Sequence, residues 1–221
     1  MKRIFRANGL SLVVFGFFFL TFWAGQTLTG LHSYNSEQKQ HHESTATLGQ
    51  YLSTAHFGEA TFENWESEFL QMGAFVLLTI GLRQKGSSES KPVDRADDVD
   101  EDPRDHQDDP DAPWPVRQGG LILAVYENSL SIAFIFLFLG SFLGHLLTGT
   151  RNFNNEELAH GGHAISTLQY LHSSQLWFES FQNWQSEFLA VASIVVFTIF
   201  LRQRGSSESK PVHAPHVETT G

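Results

Sequence analysis

The chain contains two copies of one segment. Residues 26–93 and 145–212 align without a gap at a constant offset of 119. Both copies carry the pattern Asn-Trp-x-Ser-Glu-Phe-Leu, which starts at Asn64 and again at Asn183, and both end in the octapeptide GSSESKPV. Self-similarity at a fixed period constrains architecture more than any local pattern does. Whatever structure the first copy adopts, we expect the second copy to adopt as well.

Two uncharged runs predict membrane-spanning helices. Residues 9–30 and 129–149 contain no Asp, Glu, Lys or Arg, and about 20 apolar residues cross a ~30 Å hydrocarbon core as a helix. The first run also resembles a signal peptide, because Lys2, Arg3 and Arg6 precede it. Its counterpart is internal, however, so we expect the first run to be a retained structural helix.

The second span of each copy is less apolar. Phe69–Leu82 and Phe188–Leu201 are uncharged for 14 residues each, which is short for a span. Aromatic residues at helical spacing precede both, so we predict longer helices that begin near residues 61 and 180. The loops before them are predicted to carry short interfacial helices, at Leu48, Tyr51 and Leu52 and at Leu168 and Leu171.

The expected fold is an all-α integral membrane protein with four transmembrane helices, arranged as two parallel tandem helical hairpins. The predicted domains are a hairpin repeat at 1–93, a linker at 94–119, a second hairpin repeat at 120–212 and a tail at 213–221. Residues 86–116 combine eleven Asp or Glu with five Pro. Such a composition cannot bury enough apolar area, so we expect the linker to be disordered, and the tail likewise.

Charge predicts the orientation. Two basic residues, Lys39 and Arg151, lie in the loops inside the predicted hairpins, whereas twelve lie on the other side. The twelve are Lys2, Arg3, Arg6, Arg83, Lys85, Lys91, Arg95, Arg104, Arg117, Arg202, Arg204 and Lys210. The positive-inside rule therefore predicts a multi-pass protein with both termini in the cytoplasm.

A polar stripe on the second helix of each copy is the first candidate site. At 100° per residue its members share one sector of the helix, namely Asn64, Glu68 and Thr79 in one copy and Asn183, Glu187 and Thr198 in the other. A carboxylate at membrane depth should face the bundle interior or a water-filled cavity. The stripe therefore predicts a proton or cation site. The alternatives are hydrogen bonding between helices and a position among the lipid headgroups.

Histidines form a second candidate site. His41, His42 and Glu43 in one predicted outer loop, and His160 and His163 in the other, have the spacing of metal ligands. Imidazole with carboxylate suits zinc, nickel or copper. The alternatives are solvated loop histidines and a pH-sensing role. We expect no cofactor.

Composition excludes several classes of function. The chain has no Cys, which removes disulfides, thiolate nucleophiles and iron–sulfur ligands. Its net charge of −10 argues against nucleic acid as a partner. No signature of hydrolysis, nucleotide binding or redox chemistry is present, so we expect no enzymatic activity. The leading interpretation is a channel-like, transport-associated or accessory subunit.

Two further interpretations are open. A membrane scaffold would recruit a cytoplasmic protein through the repeated GSSESKPV segments, and a sensor would use the outer histidines to detect metal or pH. The expected partners are the lipid bilayer, further copies of the chain and a cytoplasmic protein.

Three motifs carry a resemblance to a known family. They are Asn8–Leu12, Glu63–Gln71 and Leu82–Gly86, the last running into Glu-Ser-Lys-Pro. Together they resemble an uncharacterised bacterial membrane-protein family known only as a domain of unknown function, over nearly the whole chain outside the acidic linker. The resemblance implies four spans in a bacterial cytoplasmic membrane. It implies no activity, ligand or catalytic residue.

Overall fold

The computed structural model describes residues 2–219, with side chains from Ile4 onward. Within that range the protein is helical and contains no strand, so the all-α part of the expected fold is confirmed. The α-helices are α1 (Lys2–Leu20), α2 (Leu28–Gln40), α3 (Leu48–Tyr51), α4 (Ala55–Gly81), α5 (Trp114–Gln118), α6 (Gly120–Glu127), α7 (Ser129–Ala159), α8 (Thr167–Leu171) and α9 (Ser174–Phe200).

Three helices in the described part of the chain are long and apolar enough to cross a membrane. They are Ile4–Gln40, Ser129–Ala159 and Ser174–Phe200. The first unites α1 and α2 through a π-helical segment at Thr21–Thr27. Large apolar side chains on these helices are exposed, for example Leu10 at 79 %, which suits contact with lipid.

Helix α4 is as long as α9, at 27 residues each, yet it is not among the three. Glu63, Glu66 and Glu68 lie in its middle and make it less apolar. Both helices begin about six residues before the predicted starts near 61 and 180. The reason is that the side-chain oxygens of Thr54 and Ser173 cap these earlier starts by accepting from Phe57 N and Leu176 N.

The predicted linker, residues 94–119, is partly helical. It contains 3-10 turns at Asp98–Asp100 and Pro103–His106, followed by α5. Lys91 and Arg83 form ion pairs with Asp100, and the Lys91 ammonium holds the pKa of the Asp100 carboxyl below its usual value. Disorder of the linker stays a prediction.

The chain divides into two compact units. The first contains the residues up to Phe62 together with Leu143–Leu176, and the second contains Glu63–Phe142 and the residues from Trp177 onward. Each unit combines segments from both copies, so the units do not follow the copy boundaries.

In the first unit, α3 and α8 begin in the same way. Thr47 and Gln50 form a capping box, in which each side chain bonds to the backbone of the other residue, and Ser166 and Gln169 repeat it. A sequence pattern of Thr or Ser followed three residues later by Gln is the signal for such a helix start. The short helices predicted near these positions are therefore present.

The loop before each short helix is also held in the same way. Asn35 donates from Nδ2 to Ala46 O (2.9 Å) and accepts from Ala46 N (2.7 Å). Asn154 makes the same two bonds with Ile165, at 2.9 and 2.8 Å. Each asparagine thereby ties the end of a long helix to the loop that follows it.

Glycines allow close packing in the first unit. A Cβ on Gly144 of α7 would lie 2.6 Å from the ring of Phe62, and one on Gly58 of α4 would lie 2.7 Å from Thr148. A Cβ on Gly30 would meet the hydroxyl of the buried Tyr51 at 2.2 Å. Small residues thus let α4 approach α7, and let α3 approach α2.

In the second unit, α7 packs against α4 and α9. A Cβ on Gly73 of α4 would lie 3.2 Å from Phe134 of α7. The rings of Phe138 and Trp184 lie 6.4 Å apart in an edge-on arrangement, and those of Phe142 and Trp177 lie 6.1 Å apart. These aromatic contacts position the face of α9 that meets the polar side chains of α4.

Candidate functional site

Helix α4 places carboxylates against α9 in the second unit. Glu66 is fully buried, and the equally buried Ser180 donates a 2.7 Å hydrogen bond to its Oε1. One turn earlier, Glu63 accepts a hydrogen bond from the side-chain amide of Asn183. A buried carboxylate needs such donors, because an unpaired one would lose its hydration without compensation. The pairs supply them from a hydroxyl and an amide.

A third glutamate lies on the same side of α4. Glu59, Glu63 and Glu66 are spaced by four and three residues, so they share one helix face, which we call the acidic face. In the first unit, Glu59 and the fully buried His145 of α7 place side-chain oxygen and nitrogen atoms within 4.8 Å of each other. Within the first unit, Glu59 therefore has a polar neighbour on α7.

The counterpart of His145 makes a different contact. Gln26 occupies the matching position in the first copy, and its side-chain amide donates to Thr61 Oγ1 at 3.0 Å. Thr61 is buried and also donates to Phe57 O at 2.8 Å. The first copy thus has a neutral amide–hydroxyl pair where the second copy has a buried imidazole.

The side chains of the predicted polar stripe are only partly buried. Asn64 and Glu68 are exposed, whereas Thr79, Asn183 and Glu187 are half-buried and Thr198 is buried. Glu68 and Glu187 are close enough for their charges to interact. Asn183 joins the acidic face through its bond to Glu63. Thr198 instead bonds to Ser87 Oγ at 3.1 Å, beyond the end of α4.

Sequence reasoning missed Glu59, Glu63 and Glu66. It followed Glu68 and Glu187 because the repeat preserves them, whereas the second copy has Gln182 and Gln185 in place of Glu63 and Glu66. The available signal was the spacing of three acids at i, i+4 and i+7, of which Glu59 lies just before the predicted start of the helix near residue 61. That spacing puts all three on one helix face whether or not the repeat preserves them.

The predicted histidine ligands divide into two groups. The rings of His41 and His160 lie 5.1 Å apart, and both line an open cavity of about 620 Å³ in the first unit. Glu43 lines the same cavity, whereas His42 and His163 lie outside its lining. We call this space the histidine cavity.

The wall of the histidine cavity contains further polar side chains. Tyr34 and His56 also line it, and the Tyr51 hydroxyl contacts His56 Nδ1 at 3.3 Å. Burial raises the pKa of the Tyr51 phenol, and the negative charge of Glu37 adds to the effect. The phenol therefore stays protonated across the neutral range.

The two octapeptides fold alike. Gln84 N donates to Ser90 Oγ at 2.8 Å, and Gln203 N donates to Ser209 Oγ at the same distance. The buried Ser87 also accepts from Glu89 N at 3.0 Å. Much of the polar capacity of these serines is thus used within the chain.

The lysines of the octapeptides have different partners. Lys91 pairs with Asp100, whereas the buried Lys210 donates to the carbonyl oxygens of Pro215, His216 and Glu218 at 3.3, 3.0 and 2.8 Å. Burial lowers the pKa of the Lys210 ammonium, and the nearby positive charge of Arg202 acts in the same direction. The tail therefore folds around Lys210.

One family model matches the chain, and it covers residues 1–221 under the description Domain of unknown function (DUF6766). The chain belongs to this family. The expectation of a domain-of-unknown-function family is therefore confirmed. No curated protein and no solved structure matches the chain.

The match to DUF6766 covers the long helices, the acidic segment and both octapeptides alike. It carries no activity that can be transferred to the chain. The acidic face and the histidine cavity are the features of the chain that bear on its function.

Proposed function

We propose that this DUF6766 protein is a four-span integral membrane protein that conducts or transports protons or small cations along the acidic face of α4. The observation that carries the proposal is Glu66, a fully buried carboxylate within a long helix, hydrogen-bonded to Ser180 of α9. Ionisable residues inside membrane segments are costly and most often mark ion or proton pathways. Glu63, paired with Asn183, is the second group of the pathway.

The fourth span in this proposal is α4. Its 27 residues make about 40 Å of helix, which exceeds the ~30 Å of the hydrocarbon core. Its low hydropathy follows from its glutamates, of which Glu63 and Glu66 contact α9 and not lipid. With four spans, each copy is a helical hairpin, and the two hairpins run parallel.

The basic residues support an orientation. Twelve of the fourteen Lys and Arg lie at the termini or between the hairpins, and the positive-inside rule places that side in the cytoplasm. Glu63 and Glu66 then lie in the outer half of the membrane, and the histidine cavity faces outwards. The membrane would be the cytoplasmic membrane of a bacterium, as the family resemblance implies.

The chemistry of the acidic face favours cations. A carboxylate can release and rebind a proton, or hold a cation by charge, whereas it repels anions. The Ser180 hydroxyl can either donate or accept, so it can stay bonded to Glu66 in both protonation states. A bundle of four helices is narrow, so we propose that a complete pathway forms between several copies of the chain. The activity is then that of a non-enzymatic channel-like or transport-associated subunit.

A purely structural role for these bonds is the main competing explanation. Buried Glu, Ser and Asn side chains also hold helices together by hydrogen bonds. The scaffold interpretation has less support, because Ser87, Ser90 and Lys210 of the octapeptides bond within the chain. A flux measurement separates conduction from both alternatives.

The test uses purified protein in proteoliposomes, with proton and potassium fluxes followed by pH-sensitive and potential-sensitive dyes. We expect flux in the wild type and its loss in Glu63→Gln/Glu66→Gln. Glutamine keeps the acceptor oxygen and stands at the matching positions of α9, as Gln182 and Gln185. The variant should therefore fold and insert while lacking a titratable group.

The matched control is Glu68→Gln/Glu187→Gln, which removes one carboxylate from an exposed position on α4 and one from a half-buried position on α9. We expect this control to retain flux. Loss of flux in the control alone would move the pathway to the Glu68 and Glu187 stripe. Absence of flux from inserted wild-type protein would contradict conduction by this chain, and equal flux in all three proteins would leave the glutamates a structural role.

A further inference from the structure

We propose that the histidine cavity binds one zinc-class divalent metal ion through a Glu-x-x-x-His pair from each copy of the repeat. The pairs are Glu37 with His41 and Glu156 with His160, and all four residues line the cavity. The offset of 119 relates Glu37 to Glu156 and His41 to His160. The two copies therefore contribute equivalent ligands to one site.

The backbone places each Glu-x-x-x-His pair in the same way, at the C-terminal end of a helix. Helices α2 and α7 end at Gln40 and Ala159, so each histidine is the first residue beyond its helix. The His41 amide donates to Glu37 O and the His160 amide to Glu156 O, both at 3.1 Å. A spacing of four residues keeps the glutamate and the histidine on one face of the last turn.

Each helix end is also closed by a residue with left-handed backbone. His42 has φ 58° and its counterpart Gly161 has φ 78°. This conformation turns the chain away after the ligand position. It leaves His41 and His160 at the edge of the cavity while His42 lies outside the lining.

The separation of the two imidazoles suits a shared metal ion. Zinc binds histidine nitrogen at about 2.0–2.1 Å in tetrahedral geometry, which places two bound imidazole centres about 5 Å apart. The ring centres of His41 and His160 are 5.1 Å apart. The two rings are thus already at the separation that one shared ion requires.

The orientation of His160 is fixed as it is in metal-binding histidines. Its Nδ1 lies 2.7 Å from the backbone oxygen of Glu156, which can only accept a hydrogen bond. Nδ1 therefore carries the proton, and the lone pair of the neutral ring is on Nε2. Metal-ligating histidines commonly donate their second N–H to a backbone carbonyl in this way.

The charge of the cavity also suits a divalent cation. Its lining, which lies wholly within the described residues, contains three glutamates and three histidines and no Lys or Arg. The carboxylates of Glu37 and Glu156 balance the two charges of a divalent ion. Imidazole with carboxylate favours zinc and its neighbours over calcium and magnesium, which prefer oxygen ligands alone.

The test measures Zn²⁺ binding to the full chain in detergent micelles, with any polyhistidine tag removed, by competition with a chelator of known affinity. We expect one ion per chain. His41→Ala/His160→Ala should weaken binding by about 100-fold or more, and Glu37→Gln/Glu156→Gln by at least about 10-fold. Acidification should release the ion, because imidazole and carboxylate bind metal only when deprotonated.

The matched control is His42→Asn/His163→Ala, which removes two histidines of the same loops that lie outside the lining. It should bind Zn²⁺ as the wild type does. Absence of binding by the wild type, equal weakening in the control, or full binding by His41→Ala/His160→Ala would each overturn the proposal. Circular dichroism checks folding, and if the histidine variant does not fold, Glu37→Gln/Glu156→Gln decides the question with exposed side chains only.

Discussion

Gly86 and Gly205 show how two identical octapeptides differ in their surroundings. Both have left-handed backbone, with φ 87° and 86°, a conformation that costs an L-residue about 1–2 kcal/mol. A Cβ on Gly86 would lie 2.3 Å from the carbonyl oxygen of His216, whereas one on Gly205 would have no neighbour within 4 Å. The first octapeptide is therefore packed under the tail.

This difference gives a prediction for the tail. Gly86→Ala should add a clash worth about 1–3 kcal/mol to the backbone strain, and so release residues 211–219. Gly205→Ala carries the same strain without the clash and serves as the control. Hydrogen–deuterium exchange of residues 211–219 should become faster in Gly86→Ala than in Gly205→Ala. Equal exchange in the two variants would show that the tail does not pack over Gly86.

At the residue scale, the repeat both helped and misled the search for a site. It correctly related His41 to His160, and the structure brings their rings together. It also drew attention to Glu68 and Glu187, although the buried carboxylate is Glu66, which has glutamine as its counterpart. Residues that are identical in the two copies indicate shared structure. The proposed ion pathway instead depends on Glu63 and Glu66, where the two copies differ.

At the element scale, α7 presents two glycines one turn apart in a Gly-x-x-x-Gly pattern, Gly140 and Gly144. A Cβ on Gly144 would lie 2.6 Å from the ring of Phe62, but one on Gly140 would meet nothing within 4 Å. Close approach of α4 to α7 in the first unit therefore depends on Gly144.

We predict opposite effects for the two substitutions. Gly144→Ala should lower stability by about 1–3 kcal/mol, because the Phe62 ring must move. Gly140→Ala should be neutral, or stabilising by up to about 1 kcal/mol, because alanine loses less backbone entropy in a helix. Unfolding in detergent, followed by circular dichroism, measures both. A larger loss for Gly140→Ala than for Gly144→Ala would show that the packed glycine has been misassigned.

Elements with a local signal were predictable, and their ends often were not. The short helices α3 and α8 begin at capping boxes that the sequence displays. The early starts of α4 and α9 have a weaker signal, a single Thr or Ser at the N-cap. The side-chain oxygens of Thr54 and Ser173 accept from Phe57 N and Leu176 N, at 3.2 and 3.4 Å. The histidine cavity likewise needs two segments that are more than a hundred residues apart in the chain.

At the scale of the whole molecule, the number of membrane spans depends on α4. Composition alone finds three helices able to cross a membrane. The proposed fourth span, α4, is less apolar because it contains Glu63, Glu66 and Glu68. The proposed function places Glu63 and Glu66 against polar partners and not against lipid. Three spans and four spans predict different sides of the membrane for everything after α4, so topology tests the account without assuming any activity.

Single-cysteine labelling measures that topology directly, because the chain has no Cys of its own. Ser44→Cys, Ala96→Cys and Ala164→Cys place one exposed thiol each before α4, after α4 and between α7 and α9. In intact cells, a membrane-impermeant maleimide should label Ser44→Cys and Ala164→Cys but not Ala96→Cys. Ala96→Cys should be labelled only after the membrane has been permeabilised. Labelling of Ala96→Cys with protection of Ala164→Cys would mean that α4 does not cross the membrane, and would contradict the account.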